Sequence, residues 1–234
     1  MKTSSSLTQA AYDALRAEVL TCRLAPGTKL VIADLCERLG FSLGAVREAL
    51  SRLTSEGFVI AEPQRGFRVS PISEAELRDL TEVRADIESQ CLRRSIEAGD
   101  IAWEGRVVAA YHELARTPER VADDPERNSE AWAQAHGRYH AALVDACDSA
   151  WLLRLRTLLY AQSERYRRLS VPLARQERDL NREHREIMEA TIGRDPTRAV
   201  SLLREHLLTT TRILLSSQVV NQPATTMPEA VSSS

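Results

Sequence analysis

Between Val31 and Val69 the apolar residues change their period, and that change dictates how the first part of the chain can fold. Val31, Leu35 and Leu39 recur at i, i+4 and i+8, one face of a short helix. Gly40 follows, where a helix commonly closes in a left-handed conformation. Ser42 offers its hydroxyl as an N-cap for a second helix running to about Glu56, with Val46, Leu50 and Leu53 on its inner face. Arg47, Ser51 and Arg52 point elsewhere, and Gly57 ends that helix. Phe58-Val59-Ile60 and Phe67-Arg68-Val69 are β-prone runs, and Pro63-Gln64-Arg65-Gly66 between them is hairpin chemistry. Two helices about a glycine turn, then a basic hairpin, predict a winged helix-turn-helix. Such a module sets its second helix in the major groove of DNA.

Charge supports that reading only when the chain is divided. The whole carries a net charge of -2. Residues 1–73 hold nine Lys/Arg against seven Asp/Glu, whereas the remainder holds 22 against 26. A basic bias on the first part suits a polyanion, and the second part then has another task. No apolar run reaches the roughly 18 residues of a membrane span, and Met1 to Thr8 lacks the apolar core of a signal peptide. A cytoplasmic protein without a membrane partner is the expectation. Cys22, Cys36, Cys91 and Cys147 form no CxxC pair and read as free thiols.

Taken in order, Thr8 to Cys22 is an amphipathic helix with Ala11, Leu15, Val19 and Leu20 on one side, followed by a turn and a brief extended piece at Leu30. Ser73 and Glu76 have the spacing of a capping box. From there only helical patterns occur, the first with Leu77, Leu80, Val83, Ile87 and Cys91 on its apolar stripe. Further helices are expected at 102–114, 129–147, 149–169, 174–193 and 195–217, with a loop at 117–128 containing Pro118 and Pro125. Asp195-Pro196 is an N-cap followed by a first-turn proline. The expected fold is thus mainly α: a winged helix-turn-helix over residues 1–72, an antiparallel bundle of six or seven helices over 73–218, and a disordered tail at 219–234.

Val46-Arg47-Glu48-Ala49-Leu50, Leu53, Ser55-Glu56-Gly57-Phe58-Val59 and Arg65-Gly66-Phe67, with Leu24-Ala25-Pro26-Gly27 upstream, resemble the GntR family of bacterial regulators over about residues 7–71. The second part resembles the FCD ligand-binding domain of that family's FadR branch. The residues that carry this are Glu82-Val83-Arg84 with Glu88, Tyr139-His140 with Ala142-Leu143, Glu183-His184 with Ile187, and Arg194-Asp195 with Ala199 and Glu205-His206-Leu207. The resemblance implies DNA contacts from Ser42, Leu43, Gly44, Arg47 and Arg52 and from the wing residues Gln64, Arg65, Gly66 and Arg68. Relatives usually carry an arginine and a hydroxyl residue where Leu43 and Gly44 stand here, so several of their contacts cannot be made. Arg47 matches the family's groove arginine, suited to a bidentate contact with guanine.

Four of the five histidines have informative positions. His136 and His140 lie at i, i+4 on one helix face, while His184 and His206 fall on the last two helices. A bundle can aim such residues at one interior point, and imidazole suits Zn, Ni, Cu or Fe. In FCD domains that bind metal, an Asp precedes the first histidine by four residues. His140, His184 and His206 match the three histidines, and His136 stands in place of that Asp. Four neutral imidazoles would hold a divalent ion without a carboxylate's charge compensation. The variation is similar to regulators of glutarate and related dicarboxylate use. Arg84 occupies the position of an inward-facing arginine that suits a carboxylate, or else pairs with Glu88 one turn on. Arg165, Tyr166 and Arg167 are further candidates for the cavity wall, with a solvated face expected for at least two of them.

The expectation is a homodimeric repressor on a palindromic double-stranded operator. A small carboxylate effector, such as the dicarboxylate glutarate, would release or retain it from a histidine-lined cavity holding a divalent metal (Zn, Ni or similar). A regulator for which the ion itself is the signal is the alternative. A metal-dependent enzyme is the third reading, disfavoured because no carboxylate, Ser or Cys nucleophile stands at a motif spacing near the histidines.

Overall fold

The computed structural model describes residues 4–121, 124–170 and 178–216, which form two compact units meeting in sequence at Glu74/Ala75. In the first unit, α1 (Ser4–Leu20) packs on α3 (Leu43–Ser55), and α2 (Ile32–Leu39) closes against α3. Gly40 caps α2 with φ 71°, and its N–H donates to the carbonyl of Cys36. The Ser42 hydroxyl accepts from the N–H of Ala45 at the head of α3. Val46, Ala49, Leu50 and Leu53 are fully buried against Ala11, Leu15 and Val19 of α1 and Phe58 beyond α3. Val31, expected on the inner face of α2, is instead exposed as its N-cap residue.

Three antiparallel strands, β1 (Lys29–Leu30), β2 (Val59–Glu62) and β3 (Gly66–Val69), are ordered β1-β3-β2. Leu30 pairs with Phe67, and Glu62 pairs with Gly66 across the wing turn. Gly66 sits at φ 92°, a conformation that only glycine reaches easily.

The second unit contains α4 (Glu74–Ala98), α5 (Ile101–Arg116), α6 (Glu130–Val144), α7 (Ala150–Ser170), α8 (Leu180–Ile192) and α9 (Pro196–Ser216). Helix α5 packs on α6 and α8, α8 on α9, and α7 on α9. Trp103 anchors the core: its indole is fully buried and Nε1 donates to the carbonyl of Ala142 at 2.9 Å. Gly99 is required beside it, since a Cβ there would lie 2.1 Å from the Trp103 ring. Asp195 caps α9 by accepting from the N–H of Arg198, and Asp179 caps α8 by accepting from that of Arg182.

Three expectations need correction. Residues 117–128 are not simply a loop: β4 (Arg120–Val121) and β5 (Asp124–Asn128) form an antiparallel pair. In a two-stranded ribbon each strand has an open edge, where a proline forfeits no ladder bond. Helix α8 begins at Leu180, and the expected start at 174 lies outside the described residues, as does the tail at 219–234. The inner face of α4 is only in part its most apolar stripe. Val83 is exposed, while Thr81, Arg84, Glu88 and Ser95 are buried with Leu77, Ala85, Cys91 and Leu92. A helix that turns polar groups inward is facing a polar interior.

Candidate metal centre and nucleic-acid interface

The polar interior is built around four imidazoles. Helix α6 turns His136 and His140 inward one turn apart, α8 supplies His184 and α9 supplies His206, all buried. One ring nitrogen from each lies within 4.8 Å of all the others. Nε2 of His136 and Nε2 of His140 are 3.1 Å apart. Burial, reinforced by neighbouring cationic and imidazole groups, holds His136, His140 and His184 well below the usual histidine range, so all three are neutral at neutral pH. Burial also lowers His206, although its bond to Glu183 opposes the effect. Nδ1 of His140 and Nε2 of His184 are buried and make no hydrogen bond among the described residues. Neutral imidazoles converging from three helices, two of them with a buried nitrogen that has no partner among the described residues, are what a transition-metal ion requires. This donor set fits the metal that the FCD resemblance implies.

Behind the imidazoles stands a shell of paired charges. The carboxylate of Glu183 accepts from His206 Nδ1 at 2.8 Å and from Arg178 at 2.7 and 2.8 Å. Burial alone would raise Glu183, but His206 and Arg178 pull it down to about 2. Tyr139 donates to the carbonyl of His184 at 2.7 Å, fixing α8 against α6. Trp132 stacks on His136 with ring centroids 4.8 Å apart, and the Arg167 guanidinium lies over Trp132. Tyr160 Oη lies 3.4 Å from Nδ1 of His136, under the guanidiniums of Arg84 and Arg156.

A cavity of about 40 Å³ opens beside His136 and His206, walled by Thr81 and Arg84 of α4, Ser163, Tyr166 and Arg167 of α7, and Thr210 and Thr211 of α9. Of the effector candidates, Arg84 and Tyr166 reach this wall and Arg165 does not. Arg84 is also the partner of Glu88, with Nε 2.8 Å from Oε1, as the alternative reading of this residue expects. Tyr166 donates to Glu76 at 2.8 Å, and the fully buried Arg165 stands 3.5 Å from the same carboxylate. None of Arg165, Tyr166 and Arg167 forms a solvated face, contrary to the expectation for two of them. Sequence reasoning missed the part played by Glu183 with Arg178, and by Arg156 beside Glu88. Cys147 stays outside the imidazole cluster and packs in the core near Cys91, whose thiol burial and the neighbouring Cys147 push up to about 12.

In the first unit Ser42, Leu43, Gly44 and Arg47 share an exposed face of α3, and Gln64, Arg65 and Gly66 form the exposed tip of the wing. Arg52 and Arg68 are placed differently. Arg52 lies 3.9 Å over the Tyr12 ring and donates to Gln9, and Arg68 bonds Glu62 and the carbonyl of Gly27. Both guanidiniums are engaged within their own unit.

Comparison with known proteins agrees with both halves of this description. Residues 7–69 match the family described as bacterial regulatory proteins, gntR family, and residues 79–209 match the FCD domain. The chain is 43% identical over 202 residues to the uncharacterized HTH-type transcriptional regulator BphR of Paraburkholderia xenovorans strain LB400, covering 86% of this chain and 82% of that one. It is 32% identical over 214 residues to the HTH-type transcriptional repressor GlaR of Escherichia coli K12, covering 90% and 96%. The solved structure of E. coli McbR/YncC superposes with a TM-score of 0.72 at 19% identity, over 92% of this chain and 99% of that one. No described helix is long and apolar enough to cross a membrane. The chain is a member of the GntR family with an FCD domain: a DNA-binding transcription regulator, not an enzyme.

Proposed function

We propose that this regulator is a homodimeric repressor whose grip on a palindromic operator is set by a small carboxylate effector, held in the second unit beside a divalent metal. The observation that carries the reading is the convergence of four neutral, buried histidines next to a cavity walled by Arg84 and Arg167. His140, His184 and His206 would hold the ion, with His136 as a fourth ligand in place of an aspartate. Zinc, nickel or a similar ion suits imidazole donors. When bound, the metal supplies a Lewis-acidic positive charge. Arg84 and Arg167 line the cavity wall, each already paired with a carboxylate, Glu88 and Glu164 respectively, and the Arg84 fork suits an effector carboxylate that would compete for it. Glutarate or a similar dicarboxylate is the effector class proposed, on the resemblance of the histidine pattern to regulators of dicarboxylate use.

The cavity of about 40 Å³ holds a few waters and no dicarboxylate. An effector must therefore favour a wider arrangement of α4, α7 and α9. That difference in affinity between two arrangements is what a switch requires. Helix α4 follows the wing after only four residues, so a change in its tilt reaches the DNA-binding unit through a short connection. The same small volume favours a second reading in which the ion alone is the signal, since an ion needs no widening.

The test is His184→Ala combined with His206→Ala, with metal content and operator release both measured. Loss of stoichiometric metal together with loss of effector response supports the proposal. Retained metal overturns the metal site. Lost metal with release at the wild-type effector concentration overturns the cavity as sensor. Release by metal alone, without any carboxylate, selects the second reading.

A further inference from the structure

We infer that Leu43 reads the 5-methyl group of a thymine in the operator, and that Gly44 is a glycine so that the duplex can come close to α3. The inference rests on α3 being the DNA-reading helix and adds which base it reads. Leu43 is the first residue of α3 and is 53% exposed, although the unit has a well-filled core. Nothing in the fold of this unit needs a large apolar side chain there. Gly44 is the second residue, and the fold does not need it either. A Cβ at Gly44 would meet nothing within 4 Å, and its φ is not in the left-handed region. Glycine weakens a helix relative to alanine by up to about 1 kcal/mol. A destabilising residue with open space around it points to something outside the chain that must approach closely.

Arg47 shows what approaches. It is exposed on the same face, four residues after Leu43 and three after Gly44, and its guanidinium makes no hydrogen bond or ion pair among the described residues. The first residues of a recognition helix reach base edges. In the major groove a free arginine fork pairs with guanine O6 and N7, and an apolar side chain contacts the thymine methyl. Four residues advance a helix by roughly 6 Å, and base pairs rise about 3.4 Å, so the guanine and the thymine stand about two steps apart. Leu43 therefore supplies apolar recognition where an arginine would supply a hydrogen-bond fork.

The experiment begins with a duplex selected from a random library by the full-length protein. Each thymine of one half-site is replaced in turn by deoxyuridine, which lacks only the methyl group. Burial of one methyl predicts a loss of about fourfold in affinity at a single position. Leu43→Ala should bind more weakly and be indifferent to that replacement, with an unchanged Tm because the side chain is exposed. Gly44→Ala should bind at least tenfold more weakly while its Tm does not fall. A flat deoxyuridine scan, a methyl effect that persists in Leu43→Ala, or full affinity in Gly44→Ala each overturns the inference. Failure of the underlying reading looks different. If Arg47→Ala binds the selected duplex as well as wild type, α3 is not the reader at all. If Arg47→Ala has lost binding and the scan is flat, only the thymine assignment fails.

Discussion

Glu183 accepts a hydrogen bond from Nδ1 of His206 at 2.8 Å, and its ionisation decides which ring nitrogen of that histidine is left bare. A carboxylate held at about 2 is ionised across the physiological range and can only accept. The proton therefore sits on Nδ1, and the Nε2 lone pair is free. Glu183 touches the cluster through His206, and Arg178 balances its charge. A carboxylate that orients a ligating histidine is worth about 10- to 100-fold in metal affinity. Glu183→Gln should lower affinity for a divalent ion by that factor, with the helical content unchanged. Isothermal titration checks it, and wild-type affinity in the variant would show that Glu183 serves only Arg178.

Metal removal should lower the melting temperature. A ligand at 100 times its Kd contributes about 2.7 kcal/mol to the folded state. Three helices supply the imidazoles, so a metal held there would tie them together, and a chelator should take that stabilisation away from the second unit. Scanning calorimetry with and without chelator measures it. A Tm that does not move on removal of stoichiometric metal would place the ion elsewhere.

How far the sequence reveals this site depends on range. The pairing of His136 with His140 is a consequence of the helical period and is visible in the spacing alone. Their meeting with His184 and His206 is visible only through the family's order of motifs, because it depends on how α6, α8 and α9 pack. The inner face of α4 departs from its apolar stripe for a physical reason. Of the apolar stripe Leu77 and Cys91 do face inward, but Val83 does not, and Arg84 and Glu88 are buried because each satisfies the other. Partners such as Arg156 for Glu88 or Arg178 for His206 lie 68 and 28 residues apart in the chain, so no local pattern announces them. The helix-turn-helix was legible nearly residue by residue, since caps and glycines such as Ser42 and Gly40 are local devices.

Arg47→Ala should abolish specific operator binding and leave the fold intact. The residue is exposed and engages nothing in its own unit, so its loss costs the guanine contact alone, about 1–3 kcal/mol for each half-site. A shift assay against the selected duplex reads the loss, and circular dichroism the fold. Unchanged affinity would remove Arg47 from the groove.

Two half-sites require two copies. One recognition helix reads only a few base pairs, and two-fold pairing turns that reading into a palindrome. Light scattering at micromolar concentration should therefore give the mass of a dimer. A monomer, both free and on DNA, would be incompatible with the palindromic operator proposed above.

The buried pair of Arg84 and Glu88 sets an acid limit on the second unit. Burial by itself would push the Glu88 carboxyl up, but Arg84 at 2.8 Å and Arg156 at 3.6 Å outweigh it and hold the group below the usual carboxylate range. A carboxyl depressed by folding binds its proton more readily in the unfolded chain. Its stabilisation is thus complete above the unfolded value of about 4.3 and is lost as the pH falls through the lower folded value. Glu88→Gln should flatten that part of the stability curve below about pH 4.3, while wild type keeps losing stability there. Glu88→Ala is harsher, since it leaves two guanidiniums buried with no carboxylate, and breaking such a pair costs about 3–5 kcal/mol. Urea unfolding from pH 3 to pH 7 separates the two effects. The glutamine variant should differ from wild type most at neutral pH, and the two curves should converge in acid. Parallel curves across the whole range would mean that the Glu88 carboxyl does not change its proton affinity on folding.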